Sequence, residues 1–574
     1  MPSPRAHPLC DANVTDLRQA LYDCDERCRC STAESPNFKP SRLLDLNEWS
    51  SSHTVRLISP FEMSQLDYLQ YAALTYCWGS RQEALHQSKT TVDTIEAHYQ
   101  SIPAGSLSAV VKDAIPVTQA LSLRYLWVDA LCITQGDHAE WVRESGQMDL
   151  VYSNAYVTIC AASSSSCLEG FLDRKAPIKI KFFSSNCPDM FRSLNLRKIP
   201  GHRSRSALDI YSQEVSQTAW NTRGWTLQEH CLSRRVLSFG PRRTILECSD
   251  RVWVESLGYV TVGPINCGFK GSMQHSGTVS DTRLLYNKWS LITSSFSRRL
   301  LTEPRDWLPA LSGIAKCLAL QSGDQYVAGL WKGDLIAGLL WRTYHGALSI
   351  DEISRIPTNL PYIGPTWSWA HCGGISTQQT NPAHLFLSED DKPWLVPECK
   401  ILDAYSKPEN PRLNPWGRIV KAHLKLLAKR ISISGRLVRA RQDDSLLDCF
   451  TFVWQEHTTF IITPDFAIST GLNEWHIESA ILVLLASHRT YGDLLEDIRG
   501  HADCSVSDKS PNSWIYAAHS NSTREPGEDR CAVGLLLHPI SSSRYVRIGH
   551  FGSGPIQGGL HAFKDAPRKV HRIV

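Results

Sequence analysis

The chain has 574 residues, of which 42% are hydrophobic and 20% charged, and 60 basic side chains against 57 acidic ones leave a net charge of only +3. At roughly 150 residues per domain the length exceeds one ordinary core, and the composition is globular rather than disordered. So small a net charge supplies no field to draw the chain onto nucleic acid or an anionic membrane, and neither is expected as a partner. The 18 Trp are unusual. Indoles either fill cores or form flat binding surfaces, and composition does not choose between them.

Met1 to Val14 carries Pro, His, Cys and Asp where an export signal needs an unbroken apolar stretch. The longest clean apolar runs, Ala480 to Ala486 and Val533 to Leu537, fall well short of the roughly 18 residues of a membrane span. A cytoplasmic protein without a membrane span is expected, its 18 Cys reduced and many of them simply buried. Residues 1–40 are polar and rich in Pro, Ser and Cys, and read as a leader whose order the pattern does not fix, with one short helix at Asp16 to Leu21. Its tightest thiol group is Cys24, Cys28 and Cys30 in CDERCRC. No second pair stands at a spacing that closes a tetrahedral zinc site, so no metal is expected.

Residues 41–255 read as an α/β domain. Tyr71 to Cys77 is a short β-prone run, and Val111, Ala114, Thr118 and Leu121 stand at helical spacing within Ser108 to Leu123, where Pro116 should kink or split the helix. Tyr125 to Ile133 is an apolar run broken only by Asp129, the pattern of a strand buried on both faces. Trp141, Ser145, Met148 and Tyr152 repeat along one helical face, and Tyr156 to Ala162 is the next buried strand. Leu74 to Cys77, Leu126 to Ile133 and Val157 to Ala161 should therefore be adjacent strands of a parallel sheet with helices on both faces. Residues 163–216 read as an irregular, mobile excursion, after which a helix at Thr226 to Leu232 and strands at Arg235 to Phe239 and Thr244 to Cys248 should close a five-stranded domain. Residues 256–395 form a Trp-rich mixed segment. Residues 396–574 read as a β-rich accessory domain with strands at Ile431 to Val438, Phe450 to Ile462, Ala480 to Ala486 and Cys531 to Leu537.

Three motifs in order resemble the heterokaryon-incompatibility (HET) domain of fungi. They are Leu74-Thr75-Tyr76-Cys77-Trp78-Gly79, then Tyr125 through Gln135 followed by Glu140-Trp141, Met148, Tyr152 and Ala155, then Thr222 through Glu229 continuing to Leu237. Weaker likeness continues at Tyr286 to Leu311, Gly329 to Trp331, Leu340-Trp341, Thr366 to Ala370 and Arg544 to Phe551. The resemblance implies an effector of non-self recognition and regulated cell death, with protein partners of an incompatibility system and self-association. HET domains are in turn distantly similar to TIR domains, a flavodoxin-like α/β fold whose catalytic members cleave NAD at the nicotinamide glycosidic bond. That likeness makes NAD, or a related nucleotide, a substrate rather than a resident cofactor, and none of the latter is expected. In catalytic TIR domains a Trp stands four residues before an essential Glu, as Trp225 and Glu229 do in this sequence. Such an offset shares one helical face.

Loss of nicotinamide leaves an oxocarbenium-like ribose, which a fixed carboxylate stabilises. On this reading Glu229 is the charge stabiliser and Asp129, at the end of a strand where α/β sheets bind ligands, orients the ribose or a basic neighbour. Arg223 meets a phosphate through its planar donors, while Trp78 and Trp225 stack on a flat ring of the dinucleotide. Each assignment has a plainer rival. Thr226 and Glu229 also spell a T-x-x-E capping box, and Asp129 also fits a strand-end cap or an ion partner of Arg223. Trp78, Trp127 and Trp141 read as core before they read as binding surfaces, Cys132 as an inert buried thiol, and His230 as facing away from its neighbour Glu229. No P-loop, G-x-S-x-G or H-E-x-x-H occurs. The alternative function is a non-catalytic module that triggers death by assembly.

Overall fold

The computed structural model describes residues 4–28, 37–62, 69–174, 178–184, 187–196, 206–260, 282–343, 362–372, 377–378, 395–439, 449–455, 458–465, 474–488 and 530–574. The chain divides into two units, Met1–Ser276 and Gly277–Val574.

In the first unit, apolar runs too continuous for a half-solvated sheet become central strands buried on both faces, with partly exposed strands at the edges. The strands are β1 (Leu43–Asp45), β2 (Thr54–Ile58), β3 (Tyr71–Thr75), β4 (Ile102–Pro103), β5 (Tyr125–Trp127), β6 (Val157–Cys160), β7 (Arg235–Phe239), β8 (Thr244–Cys248), β9 (Val252–Val254) and β10 (Gly258–Val260). They form one mixed ten-stranded sheet in the order β10-β9-β8-β7-β6-β3-β5-β1-β2-β4. The three expected strands are adjacent, β6 and β5 flanking β3 in parallel register, and β7 joins β6 in parallel. Ranked along the chain, these four parallel strands run 2-1-3-4 from β5 to β7.

The sheet differs from the expected five parallel strands, because both flanks are antiparallel hairpins: β8 to β10 on one side, β1, β2 and β4 on the other. The run Tyr125 to Ile133 is not one strand either. It stops at Trp127 and turns into a helical turn at Asp129–Cys132, since the Asp129 carboxylate accepts the Ala130 N–H at 2.7 Å.

Helix α1 (Asp11–Arg27) is longer than the expected Asp16 to Leu21 and buries Asn13, Leu17, Ala20, Leu21 and Cys24. Helix α2 (Ala109–Ala120) runs unbroken through Pro116 with Val111, Ala114 and Thr118 inward, so apolar burial outweighs the one backbone bond that Pro forfeits. The Trp141 to Tyr152 pattern is split between α3 (His138–Ser145) and α4 (Met148–Asn154) at Gly146-Gln147. Helix α5 (Gly224–Leu232) precedes β7. Within the stretch read as irregular lie an antiparallel hairpin, Ile178–Ser184 with Cys187–Leu196, and a helix at Ala207–Tyr211.

The second unit answers the tryptophan question for its own part. Trp289, Trp307, Trp331, Trp341, Trp367 and Trp369 are buried. The indole N–H groups of Trp289 and Trp369 both donate to the Gly329 carbonyl, at 2.9 and 2.8 Å, and that of Trp341 donates to the Trp367 carbonyl. Beyond them the chain is β-rich: β11 (Asn414–Arg439), β12 (Phe450–Trp454), β13 (Thr458–Pro464), β14 (Glu474–His488), β15 (Cys531–Pro539) and β16 (Arg544–Ser553). Their antiparallel pairings close a ring, β11-β12-β13-β16-β15-β14 and back to β11. Its core holds Phe450, Phe460, Ile462, Leu482, Leu536 and Phe551. Among the described residues no helix is long and apolar enough to cross a membrane.

Candidate active site at the carboxyl ends of the parallel strands

Parallel strands deliver the residues that follow them to one edge of the sheet. The end of β3 supplies Thr75 and, just beyond it, Tyr76 and Trp78, while the end of β5 supplies Asp129. Helix α5 brings Glu229 beside them from more than 150 positions away in the sequence. The Thr75 hydroxyl donates to the Glu229 carboxylate in a short hydrogen bond and accepts the Trp220 indole N–H at 2.7 Å. The Tyr152 hydroxyl lies between Glu229 and the Leu74 carbonyl, 3.3 Å from the latter.

Asp129 sits one step outward. Its second carboxylate oxygen accepts the Trp78 indole N–H at 3.0 Å and its charge faces the Tyr76 hydroxyl, which also accepts from Gln87 at 2.9 Å. Arg223 donates to the Tyr76 carbonyl at 2.5 Å and its charge acts on both Asp129 and Glu229. Lys89 lies over the Trp78 ring, 5.2 Å from its centre. Trp78, Asp129 and Arg223 are half-buried around the buried Glu229.

Burial pushes the Glu229 carboxyl up to about 7; the nearby Asp129 charge adds to this, and the Thr75 hydroxyl, Arg223 and Tyr152 oppose it. Burial also raises Asp129, against Arg223 and the hydrogen bonds from Tyr76, Ala130 and Trp78. Burial thus favours the protonated form of both acids, and Arg223 favours the ionised form of both.

Four of the five residues proposed from sequence thus converge: Trp78, Asp129, Arg223 and Glu229. Trp225 is half-buried and meets Trp141 edge to face at 6.5 Å between ring centres, with His138 stacked on Trp141 at 6.0 Å. The capping box does not form. Thr226 donates to the Trp220 and Arg223 carbonyls, at 2.9 and 2.8 Å, and Glu229 reaches Thr75 instead of its own helix start. Asp129 opens a single helical turn, where its carboxylate accepts the Ala130 N–H, while serving the cluster. Trp127 is core, packed on Tyr152, whereas Trp78 and Trp141 are half-buried. Burial lifts the Cys132 thiol to about 12, which leaves no nucleophile there. His230 turns away to Glu247 at 3.0 Å and Tyr211 at 3.3 Å.

The sequence reading passed over Thr75, Tyr76, Tyr152 and Trp220. The first three lie inside the quoted motifs, so their presence there was the available signal; Trp220 gave none. The Trp78-Gly79 pair has a backbone reason. Gly79 holds φ at +91°, and a Cβ there would stand 2.5 Å from that of Ser166. Gly79→Ala is accordingly expected to lower the stability of the first unit by about 1–3 kcal/mol. Denaturant unfolding checks this, and an unchanged midpoint would mean that the loop yields.

Residues 71–229 match the family model described as Heterokaryon incompatibility protein (HET), a span that opens on the first residue of β3 and closes on Glu229. The segment that carries the paired acids is therefore similar to a heterokaryon-incompatibility domain. The likeness to that family is shown for residues 71–229 of the chain. Comparison with curated proteins and with solved structures gives no match.

Proposed function

We propose that this protein is an effector of fungal non-self recognition and regulated cell death, and that its HET domain cleaves NAD at the nicotinamide–ribose bond. The observation that carries the reading is Glu229, a carboxylate buried beneath Asp129 and Arg223 at the end of β3, with its proton affinity raised to near neutrality. The 2-1-3-4 order of the parallel strands supports it. That is the winding of flavodoxin-like sheets, the TIR class, in which ligands sit where the winding reverses, between the first and third strands. Those strands are β3 and β6, and Thr75 and Tyr76 stand at that edge.

In this mechanism ionised Glu229 stabilises the oxocarbenium-like ribose, Asp129 orients the ribose hydroxyls and Arg223 meets a phosphate. Half-buried Trp78 offers a face to a flat ring. Because Glu229 ionises around 7, cleavage should climb with pH through about 7 and level off above it.

The test is nicotinamide release from NAD by the purified chain, for the wild type and for Asp129→Asn. The variant is expected to lose at least tenfold in rate, about 1.4 kcal/mol of transition-state stabilisation, with little change in unfolding temperature. One observation favours a second reading, a non-catalytic module that acts by assembly. Glu229 is only 8% exposed and already engaged by Thr75 and Tyr152. A wild-type chain that kills cells without releasing nicotinamide would decide for that module.

A further inference from the structure

Three thiols that no feature of the proposed reaction uses come together at one place in the first unit. Cys24 and Cys28 stand four residues apart at the end of α1, an offset that turns both side chains to one helical face. The Cys28 N–H closes the last turn on the Cys24 carbonyl. Cys248, 220 residues further on, ends β8 and meets them: its Sγ is 3.8 Å from that of Cys28, and all three sulfurs lie within 4.8 Å of one another. All three side chains are buried, at 4%, 5% and 3% exposure. Cys30 lies outside the described residues.

We propose that Cys24, Cys28 and Cys248 bind a zinc ion that ties α1 to the sheet. A tetrahedral zinc with sulfur at about 2.3 Å places neighbouring sulfurs about 3.8 Å apart, the Cys28–Cys248 separation, whereas a disulfide needs about 2.05 Å. The remaining separations close by small side-chain rotations. Three thiolates around a divalent ion leave one negative charge, and the surroundings supply its counter-charge. Arg235, the cross-strand partner of Cys248, is fully buried and donates its Nε–H to the Cys24 sulfur at 3.2 Å. Donors of this kind orient thiolate ligands and offset their charge. Asp25 and the Tyr156 ring hold the far side of the same guanidinium. Each thiol loses its proton to solvent as the metal binds, so affinity should fall as pH drops. Among the described residues these three supply the protein ligands, and the fourth position falls to a solvent molecule.

Protein purified without chelator from zinc-supplemented cells should carry about one zinc per chain by elemental analysis. Cys248→Ser should fall below about a tenth of that, while Cys317→Ser in the second unit keeps the full amount. If the serine variants do not fold, the wild-type chain stripped of metal and titrated with Co2+ still gives the answer. Thiolate-to-cobalt charge-transfer absorption saturating at one ion per chain supports the site. A wild type without zinc and without that absorption overturns it. So does recovery of a Cys28–Cys248 disulfide after alkylation of the native protein, which would make the cluster a redox pair.

Discussion

Glu229→Gln should cut nicotinamide release and cell killing together by roughly 10²-fold or more, yet leave the first unit at least as stable as the wild type at pH 8. Both halves follow from the same carboxylate. Burial holds the folded-state pKa at about 7, against 4.5 for an ordinary glutamate. Between those values the unfolded chain has released a proton that the folded chain keeps, so folding stability declines as pH rises through that window and the full penalty stands above it. The scale is on the order of 3 kcal/mol. Glutamine is neutral at every pH, its carbonyl oxygen can still accept the Thr75 hydroxyl, and its amide can donate to the Tyr152 oxygen. Thermal unfolding from pH 5 to 8 should therefore slope downward for the wild type and flatten for the variant. The same glutamine cannot stabilise a cation, so activity goes while the fold stays. Undiminished killing by soluble Glu229→Gln at matched expression would abandon the enzyme reading for the assembly module. Loss of killing without wild-type NAD turnover would give Glu229 a binding role.

What was legible in the sequence follows from how local the determining physics is. Arg235–Phe239 and Thr244–Cys248 are strands with the bounds that their apolar runs set, because a strand buried on both faces has no other use for such a run. The run from Tyr125 to Ile133 looked alike but contains Asp129, which accepts the next N–H and starts a helical turn. A lone Asp in an apolar stretch is the sign of such a turn as much as of a catalytic group. The flank of β1, β2 and β4, by contrast, consists of strands of three, five and two residues whose pairing depends on partners elsewhere in the chain.

The site divides in the same way. Trp78, Asp129, Arg223 and Glu229 were readable because each sits in a motif whose strand or helix aims it at the sheet's carboxyl edge. Which face Glu229 takes was not readable. The spacing of Thr226 and Glu229 permits a capping box, and only the arrival of Thr75 and Tyr152 from distant parts of the chain turns the carboxylate outward from its helix start. The thiols repeat the lesson. Counting cysteines at short spacings misses Cys248, which reaches Cys28 through the antiparallel pairing of β8 with β7.

In the second unit the largest single effect on stability is expected at Arg547, where replacement by Ala should cost about 3–5 kcal/mol. The side chain is fully buried on β16 and makes two hydrogen bonds to the Asp465 carboxylate, at 2.7 and 3.2 Å. Its remaining donors reach the Leu339 and Trp341 carbonyls, both at 2.6 Å, and its Cζ lies 3.5 Å from the centre of the Trp341 ring. One guanidinium therefore ties the β-rich ring to the Trp-rich segment within this unit. Truncation leaves Asp465 buried with its charge uncompensated and two carbonyls without their donor, and each is costly where water does not reach. At roughly 2–4 °C per kcal/mol for a unit of this size, the unfolding temperature should drop by about 10 °C. Removing both charges in Arg547→Met with Asp465→Leu should recover part of the loss, because the unpaired ion is the larger cost and the carbonyls stay bare. The exposed pair Arg305–Glu303, at 42% and 44% exposure, is the contrast. Arg305→Ala should stay within about 0.5 kcal/mol of the wild type. Equal effects at Arg547 and Arg305 in denaturant unfolding of the full chain would show that the buried cluster does not hold the second unit together.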